Sequence, residues 1–323
     1  MKQKSKPRQL FVHSALKVSE LSSKYFRFGI LFSGLLILLT TSRCKKDPVT
    51  VPSITPTETD VRFLGHKGGG NSDINPNHIE QTILSIQDGL KTMNGIEVDL
   101  QMSLDGTIWM YHDMDLNRWS CKTNDHHTIV LMKDADIEKA QICSGSNQDR
   151  IYKLEELINL WKNSASGFFI SMEVKLDFPS DTINNQLIGG EAAYLSKFAG
   201  RMYIIFSEVK FQNQLLLEVY DATFCTKIHS LIPEIKVCLI KSVSFPQQIN
   251  DALALGYDGV SCIFDEPTLS AAEVQRARDN GLIVQLWTPD TKDELTKAFN
   301  YHPNYIQTDN LDAISLLNLK VNF

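Results

Sequence analysis

The feature that most constrains the fold of this chain is an alternation of short apolar strands and amphipathic helices over its last 260 or so residues. Eight segments are predicted as strands: Arg62–His66, Gly95–Gln101, Gly167–Lys175, Gln214–Val219, Ile235–Ile240, Asp258–Phe264, Leu282–Trp287 and Asn304–Gln307. The clearest helical patterns between them are Ile79–Leu90, Lys153–Trp161, Phe245–Leu255, Ser270–Asn280 and Asp290–Phe299. Together they predict an α/β fold, a closed parallel (β/α)8 TIM barrel, whose usual length matches this region.

One part of this region fits two structures. Residues 183–211 begin with a helical pattern, but Met202–Phe206 has the apolar character of a further strand. The pattern alone does not decide between the helix and the extra strand.

The first 43 residues have the outline of a secretion signal. Several Lys and Arg residues precede an apolar run at Phe28–Leu39, which is shorter than the roughly 20 residues of a membrane span. Cys44 follows, as at the lipid-attachment site of bacterial lipoproteins, although Thr41 and Arg43 depart from the usual residues of such a site. We therefore predict export to the bacterial cell envelope and lipidation at Cys44, with a plain cleaved signal or an uncleaved anchor as the alternatives.

The remaining chain divides into a tether and one domain. Residues 44–60 are rich in Pro, Thr and Val without a helical period, which is typical of an extended tether, and residues 61–323 form the predicted barrel. The net charge is −6 and no basic stripe is present, so nucleic acid is not an expected partner. Among the other cysteines, Cys121 and Cys143 could pair in an oxidising compartment, whereas the remaining three lie in apolar patterns typical of buried residues.

A predicted hairpin after the second strand gathers ionisable side chains. Glu97 and Asp99 alternate with aliphatic residues, so both carboxylates leave one face of the strand. Asp105-Gly106 favours a two-residue turn, which would pair residues whose numbers sum to 211 and place His112 opposite Asp99. Neighbouring carboxylates resist joint ionisation unless a cation lies between them, and Ca²⁺ or Mg²⁺ would suit oxygen ligands.

Further ionisable residues occur at other strand ends. The first strand ends in His66-Lys67 before three glycines, the third carries Glu173 and Lys175 on one face, and the seventh ends at Trp287. Active sites of TIM barrels lie at the C-terminal ends of the strands. We therefore expect these side chains to meet Glu97, Asp99 and His112 at the barrel mouth.

A set of motifs resembles the glycerophosphodiester phosphodiesterase family from about Phe63 to Ile314. They are His66-Lys67-Gly68, Ile79-Glu80-Gln81-Thr82, Glu97-Val98-Asp99, Asp105-Gly106, His112-Asp113, Lys153-Leu154-Glu155-Glu156-Leu157, Glu173-Val174-Lys175 and Thr308-Asp309. The resemblance implies a single-domain barrel with a small hairpin or insertion after the second strand. It also implies metal-dependent hydrolysis of glycerophosphodiesters to sn-glycerol 3-phosphate and an alcohol.

The resemblance also implies roles for individual residues. It makes Glu97, Asp99 and Glu173 the ligands of a divalent metal, Ca²⁺ or Mg²⁺, and His66 and His112 the general acid and base. Lys175 would face the phosphate. This agrees with the chemistry, because a metal and a lysine neutralise charge on phosphoryl oxygens and imidazoles transfer protons near neutral pH. The first step, attack by water or by a glycerol hydroxyl, is left open.

Other residues near the site differ from the family or support it. Lys67 stands where the family has Arg, so a point charge replaces a planar two-pronged grip on phosphate. Trp287 is expected to line the mouth and contact substrate, or else to pack the barrel. Glu80 is expected to support the site by hydrogen bonding at a helix start. Val219-Tyr220 replaces the family's Ser-Phe pair, which leaves the identity of the leaving alcohol open.

Two alternative functions remain. A phospholipase D-like enzyme acting on intact lipids could use a similar barrel, and exposed aromatic residues around the mouth would favour it. A surface-anchored binding barrel without turnover is the second alternative, which Lys67 makes conceivable. The sequence favours the hydrolase with a small glycerophosphodiester as its substrate, held at the membrane by a lipid anchor.

Overall fold

Eight parallel strands form a closed barrel in the computed structural model, which describes residues 61–122, 124–164, 168–176, 189–207, 209, 214–240 and 242–319. In order around the barrel they are β1 (Arg62–Gly65), β2 (Gly95–Met102), β7 (Phe169–Val174), β8 (Leu215–Val219), β9 (Lys236–Leu239), β10 (Gly259–Ile263), β11 (Ile283–Trp287) and β12 (Tyr305–Thr308). The barrel closes because β1 pairs with both β12 and β2. Each strand overlaps one of the eight predicted segments, so the predicted TIM barrel is confirmed.

Helices pack around this barrel between successive strands. Their bounds are α1 (Ile83–Gly89), α2 (Asp134–Ile137), α3 (Leu154–Lys162), α4 (Glu191–Phe206), α5 (Ala222–Leu231), α6 (Phe245–Leu255), α7 (Ala271–Asp279), α8 (Lys292–Asn300) and α9 (Ala313–Leu316). The side chains of Ser244, Ser270 and Thr291 accept hydrogen bonds from backbone amides at the starts of α6, α7 and α8. Such caps satisfy amides that have no partner inside the helix and fix where each helix begins.

The extra strand considered at Met202–Phe206 is wrong, because these residues end helix α4. Phe198, Met202 and Phe206 are buried and lie four residues apart, so they share one helix face toward the core. A strand would send successive residues of this apolar run to opposite faces.

The predicted register of the β2–β3 hairpin is wrong by one residue. Strand β3 (Ile108–Met110) pairs with β2 so that paired residue numbers sum to 210, as in Leu100 with Met110. The turn is longer than predicted because Ser103 and Thr107 close a three-residue loop in which Gly106 has φ +91°. A type I turn followed by a left-handed glycine is the usual form of such a loop. Asp99 therefore pairs with Tyr111, whose amide donates to the Asp99 carbonyl at 3.0 Å.

The segment between β3 and α3 forms an insertion with its own apolar cluster. It contains a 3₁₀ turn (Ile129–Leu131), helix α2, and strands β4 (Gln141–Ser144), β5 (Asn147–Arg150) and β6 (Tyr152–Lys153). Trp109, Trp119 and Ile142 belong to its buried cluster. A disulfide joins Cys121 to Cys143, while Cys225, Cys238 and Cys262 are free and buried. The disulfide closes a loop within this insertion.

We expect the double variant Cys121→Ala/Cys143→Ala to lose about 3 kcal/mol of unfolding free energy, because the disulfide restricts a loop of 22 residues in the unfolded chain. Thermal or urea unfolding with and without reductant measures this loss. Reductant should destabilise the original chain and leave the double variant unchanged. Equal effects of reductant on both proteins would contradict the prediction.

The predicted leader 1–43, the tether 44–60 and Cys44 lie outside the described residues. Within the described part of the chain, no helix is both long enough and apolar enough to cross a membrane.

Candidate active site

A cavity of about 380 Å³ opens at the C-terminal ends of the barrel strands. Its lining includes seven of the residues predicted from sequence: His66, Glu97, Asp99, His112, Glu173, Lys175 and Trp287. The face on which Glu97 and Asp99 alternate with aliphatic residues does point into the barrel, as predicted. The predicted residues therefore line one cavity, although they are spread over more than 200 positions of the chain.

Two neighbouring strands carry three carboxylates, and Lys175 contacts two of them. In the parallel pairing of β2 with β7, Asp99 lies beside Glu173. The Lys175 Nζ atom is 2.9 Å from Asp99 Oδ1 and 2.8 Å from Glu173 Oε1. The third carboxylate, Glu97, accepts a hydrogen bond from the Lys67 amide at 2.9 Å. The ammonium group thus compensates two of the three carboxylates directly.

Burial and neighbouring charges shift the pKa values of the three carboxylates in different directions. Burial raises the pKa of Glu97 well above its ordinary value, and the nearby charges of Asp99 and Glu218 add to this. Burial also acts on Asp99, but the charges of Lys175 and His112 outweigh it and lower its pKa to about 2. Burial raises the pKa of Glu173 to about 6, with Lys175 opposing the shift. Asp99 therefore ionises more readily than a free carboxyl group, whereas Glu97 and Glu173 ionise less readily.

Each histidine in the cavity is held by a carboxylate on its Nδ1 atom. His66 Nδ1 lies 2.8 Å from Asp309 Oδ1, and His112 Nδ1 lies 2.7 Å from Asp113 Oδ1. The His66 Nε2 atom is 3.9 Å from Glu97 Oε2. Despite burial, the hydrogen bonds to the two imidazoles lower the pKa values of Asp309 and Asp113. A carboxylate on one ring nitrogen fixes the ring and leaves the other nitrogen for chemistry.

Lys67 and Glu80 are not among the described residues that line the cavity. Lys67 is 4% exposed and its Nζ atom is 3.2 Å from Glu80 Oε1. The other Glu80 oxygen is buried without a partner among the described residues. The backbone of Lys67 reaches the site through its amide, which contacts Glu97, while its side chain forms a buried ion pair.

Gln81 positions Asp99 through two hydrogen bonds, a role that was missed from sequence. Its Nε2 atom donates to Asp99 Oδ2 at 2.5 Å, and its Oε1 atom accepts from the Asp99 amide at 3.1 Å. The motif Ile79-Glu80-Gln81-Thr82 contains this residue, but spacing along the chain does not indicate its contact with Asp99. The contact depends on the approach of the loop after β1 to strand β2.

A buried polar layer forms the floor of the cavity and was also missed. Glu218 is 1% exposed and accepts hydrogen bonds from the Ser171, Ser261 and Gln307 side chains at 2.6 to 2.7 Å. Gln285 donates to both serine hydroxyls. A buried carboxylate requires such partners. The isolated Glu in the apolar run Leu215–Val219 was the available sequence signal.

The donor set of the site fits a divalent cation. Glu97, Asp99 and Glu173 line one cavity, and carboxylate oxygens are ligands that suit Ca²⁺ and Mg²⁺. Burial, together with the neighbouring carboxylates, raises the pKa values of Glu97 and Glu173, and a bound cation would favour their charged forms. Among the described residues, no three His, Cys, Asp or Glu side chains are already arranged as a metal site, and Lys175 lies between Asp99 and Glu173.

We expect Glu173 to make the chelator-treated protein less stable as pH rises from about 4.5 to 6. Its folded-state pKa of about 6 exceeds the ordinary 4.5, so the folded protein binds more protons in this range and loses that advantage as pH rises. Urea unfolding against pH should show a decline of about 1 to 2 kcal/mol that Glu173→Gln removes. An unchanged pH profile in that variant would contradict the assignment. Glu191→Gln, on helix α4 outside this cavity, is the control.

The fold and this constellation define a class of protein: a TIM-barrel hydrolase with acidic, lysine and histidine groups at the mouth. The glycerophosphoryl diester phosphodiesterase family model matches residues 66–313, and the chain belongs to this family of phosphoric diester hydrolases. No curated protein sequence matches it.

The match between this chain and several solved structures of the same fold includes nearly the full length of those structures. A protein from Silicibacter pomeroyi is 16% identical, with TM-score 0.68, covering 82% of this chain and 96% of that one. A glycerophosphodiester phosphodiesterase from Parabacteroides distasonis is 16% identical, with TM-score 0.63 and coverage of 81% and 97%. An Oleispira antarctica phosphodiesterase in complex with the product sn-glycerol-3-phosphate is 17% identical, with TM-score 0.63 and coverage of 80% and 96%. At these identities the likeness establishes the fold.

Proposed function

We propose that this protein hydrolyses glycerophosphodiesters to sn-glycerol 3-phosphate and an alcohol with the help of a divalent metal, Ca²⁺ or Mg²⁺. The observation that carries the proposal is the meeting of three carboxylates, Lys175 and two carboxylate-held imidazoles in one cavity. Family membership and the product bound by the Oleispira antarctica neighbour support the same substrate class.

The residues of this chain divide the chemistry among them. Glu97, Asp99 and Glu173 would hold the metal, which supplies a Lewis acid for the phosphoryl oxygens. Lys175 contributes a second positive charge beside the phosphate, where negative charge grows in the transition state. One imidazole accepts the proton of the attacking hydroxyl, and the other donates a proton to the leaving alcohol. Asp309 and Asp113 orient the rings so that Nε2 serves in these transfers.

The reaction on small water-soluble diesters is favoured over attack on intact lipids. Ile263 lines the cavity, and Val243 lies in sequence between two residues that line it. Both side chains are exposed, and both are aliphatic. The exposed aromatic rim that would favour a lipid-acting enzyme is not found among the described residues. The ionic groups of the cavity suit a phosphodiester with polar substituents.

We also propose that the enzyme acts in the bacterial envelope, held to a membrane by a lipid on Cys44. The basic and apolar leader and the Pro- and Thr-rich tether support this placement. Mass spectrometry of the membrane-extracted protein tests it, because a start at any residue other than a lipidated Cys44 would refute the anchor.

Release of sn-glycerol 3-phosphate from glycerophosphocholine and glycerophosphoethanolamine tests the activity. We expect turnover with Ca²⁺ or Mg²⁺, loss of turnover with a chelator, and recovery when metal is restored. Glu97→Gln should weaken the response to metal. Undiminished turnover after chelation would refute the metal, and a folded protein that hydrolyses no glycerophosphodiester would refute the function.

A further inference from the structure

The cavity has a second wall that the proposed chemistry does not use. It lies at the ends of β9, β10 and β11 and includes Ile240, Cys262, Ile263, Glu266 and Trp287. The ionic groups come instead from β1, β2 and β7 and from the segment just after β3. A phosphate held by the ionic side therefore leaves one ester substituent to lie against this second wall.

Trp287 lines this second wall. The residue is partly exposed, but its Nε1 atom is buried and has no hydrogen-bond partner among the described residues. Because its only polar side-chain atom is buried, the exposed part of its side chain is carbon, and an aromatic ring attracts cations and alkyl groups.

Glu266 lines the same cavity as Trp287, and no cation pairs with it among the described residues. Trp287 pairs with Ile263 in the β10–β11 ladder, and the Glu266 amide donates to the Ile263 carbonyl at 3.2 Å. The Glu266 Oε2 atom is fixed by the Thr268 amide at 2.9 Å and the Thr268 hydroxyl at 2.6 Å. Within the described part of the chain Glu266 forms no ion pair, while Lys175 is engaged by other carboxylates.

We propose that Glu266 and Trp287 select substrates whose leaving alcohol carries an ammonium or trimethylammonium group. This inference rests on the proposed glycerophosphodiester hydrolysis and names the substrate class within it. The carboxylate balances the positive charge, the indole ring contacts the cation, and Ile240, Cys262 and Ile263 suit its methyl groups. A neutral polyol in the same place would gain neither the ionic nor the cation–π contribution.

Rates on two substrates test the proposal. We expect Glu266→Gln to lower kcat/KM for glycerophosphocholine by about 5- to 30-fold, and to leave glycerophosphoglycerol, whose alcohol is neutral, within about twofold. Asp265→Asn is the matched control, because this adjacent carboxylate is exposed and does not line the cavity. It should change neither rate.

Trp287 variants separate cation binding from packing. Trp287→Phe keeps an aromatic ring and loses no hydrogen bond, so it should retain the preference for glycerophosphocholine. Trp287→Leu should lose most of that preference while still hydrolysing glycerophosphoglycerol. Equal preferences in Trp287→Phe and Trp287→Leu would overturn the role of the ring.

The outcomes distinguish this proposal from the proposed function. Equal losses on both substrates in Glu266→Gln would place Glu266 against the shared glycerol and overturn the proposal, as would an unchanged ratio of the two rates. If the original chain hydrolyses neither substrate, the proposed function fails by itself. Calorimetric titration with choline then decides the site: binding that Glu266→Gln abolishes supports it, and no binding overturns it.

Discussion

His66→Ala is expected to lower kcat for glycerophosphodiester hydrolysis by about 100- to 10,000-fold with a smaller change in KM. The His66 imidazole lines the cavity, and its Nδ1 atom is held by Asp309 at 2.8 Å. Asp309 is itself fixed, because its Oδ1 atom accepts from the Asn71 amide and its own amide donates to Asp290. The ring is therefore positioned before substrate arrives, and its removal would eliminate one of the two proton transfers of the proposed mechanism.

The control is His126→Ala, which removes another histidine paired with an aspartate. His126 Nδ1 lies 2.9 Å from Asp115, but the side chain is 64% exposed and does not line the cavity. Asp309→Asn should give a loss of kcat without a loss of the imidazole, because the ring is then held less firmly. A kcat in His66→Ala within about threefold of the original value would exclude His66 as an acid or base.

Lys175→Met is expected to lower kcat/KM by about 100- to 1,000-fold, because in the proposed mechanism the ammonium group compensates the charge that develops on the phosphoryl oxygens. The same change should cost about 3 to 5 kcal/mol of stability in the presence of chelator, since it leaves Asp99 and Glu173 as buried carboxylates without their cation. Steady-state kinetics and urea unfolding measure the two effects. Added Ca²⁺ or Mg²⁺ should restore part of the stability and little of the rate.

Lys236→Met is the matched control for this variant. Lys236 also contacts a carboxylate at 2.9 Å, that of Asp258, but its side chain is 45% exposed and lies outside the cavity. Exposed ion pairs contribute little, so a stability loss below about 1 kcal/mol and an unchanged rate are expected. Equal rate losses in the two variants would show that Lys175 acts only through general stability.

The sequence predicted most of the site because, in a parallel barrel, a residue's place on its strand indicates where its side chain lies. Glu97 and Asp99 share a strand face by their spacing of two, as do Glu173 and Lys175. Since active sites of this fold lie at the C-terminal strand ends, these pairs were placed in one mouth without knowledge of any distance. The structure confirms that they line a common cavity.

Features that depend on the path of loops were not predicted. The hairpin turn accommodated one more residue than Asp105-Gly106 indicated, which changed the partner of Asp99 from His112 to Tyr111. Lys67 was expected to bind substrate, and the structure places its side chain in a buried pair with Glu80. A loop can direct a side chain toward a cavity or away from it, and the sequence has no periodic pattern that predicts which direction occurs.

The sequence by itself determined the eight strands, the barrel and the set of charged groups at its mouth. The period of a strand and the burial of its apolar residues depend on neighbouring residues in the chain, so the order of residues is enough to predict these features. The tertiary structure alone decided which carboxylate holds which imidazole, that Gln81 orients Asp99, and that Glu218 lies beneath the site. Those contacts join residues far apart in the chain, and they form because buried polar groups must find partners wherever the closed barrel brings them together.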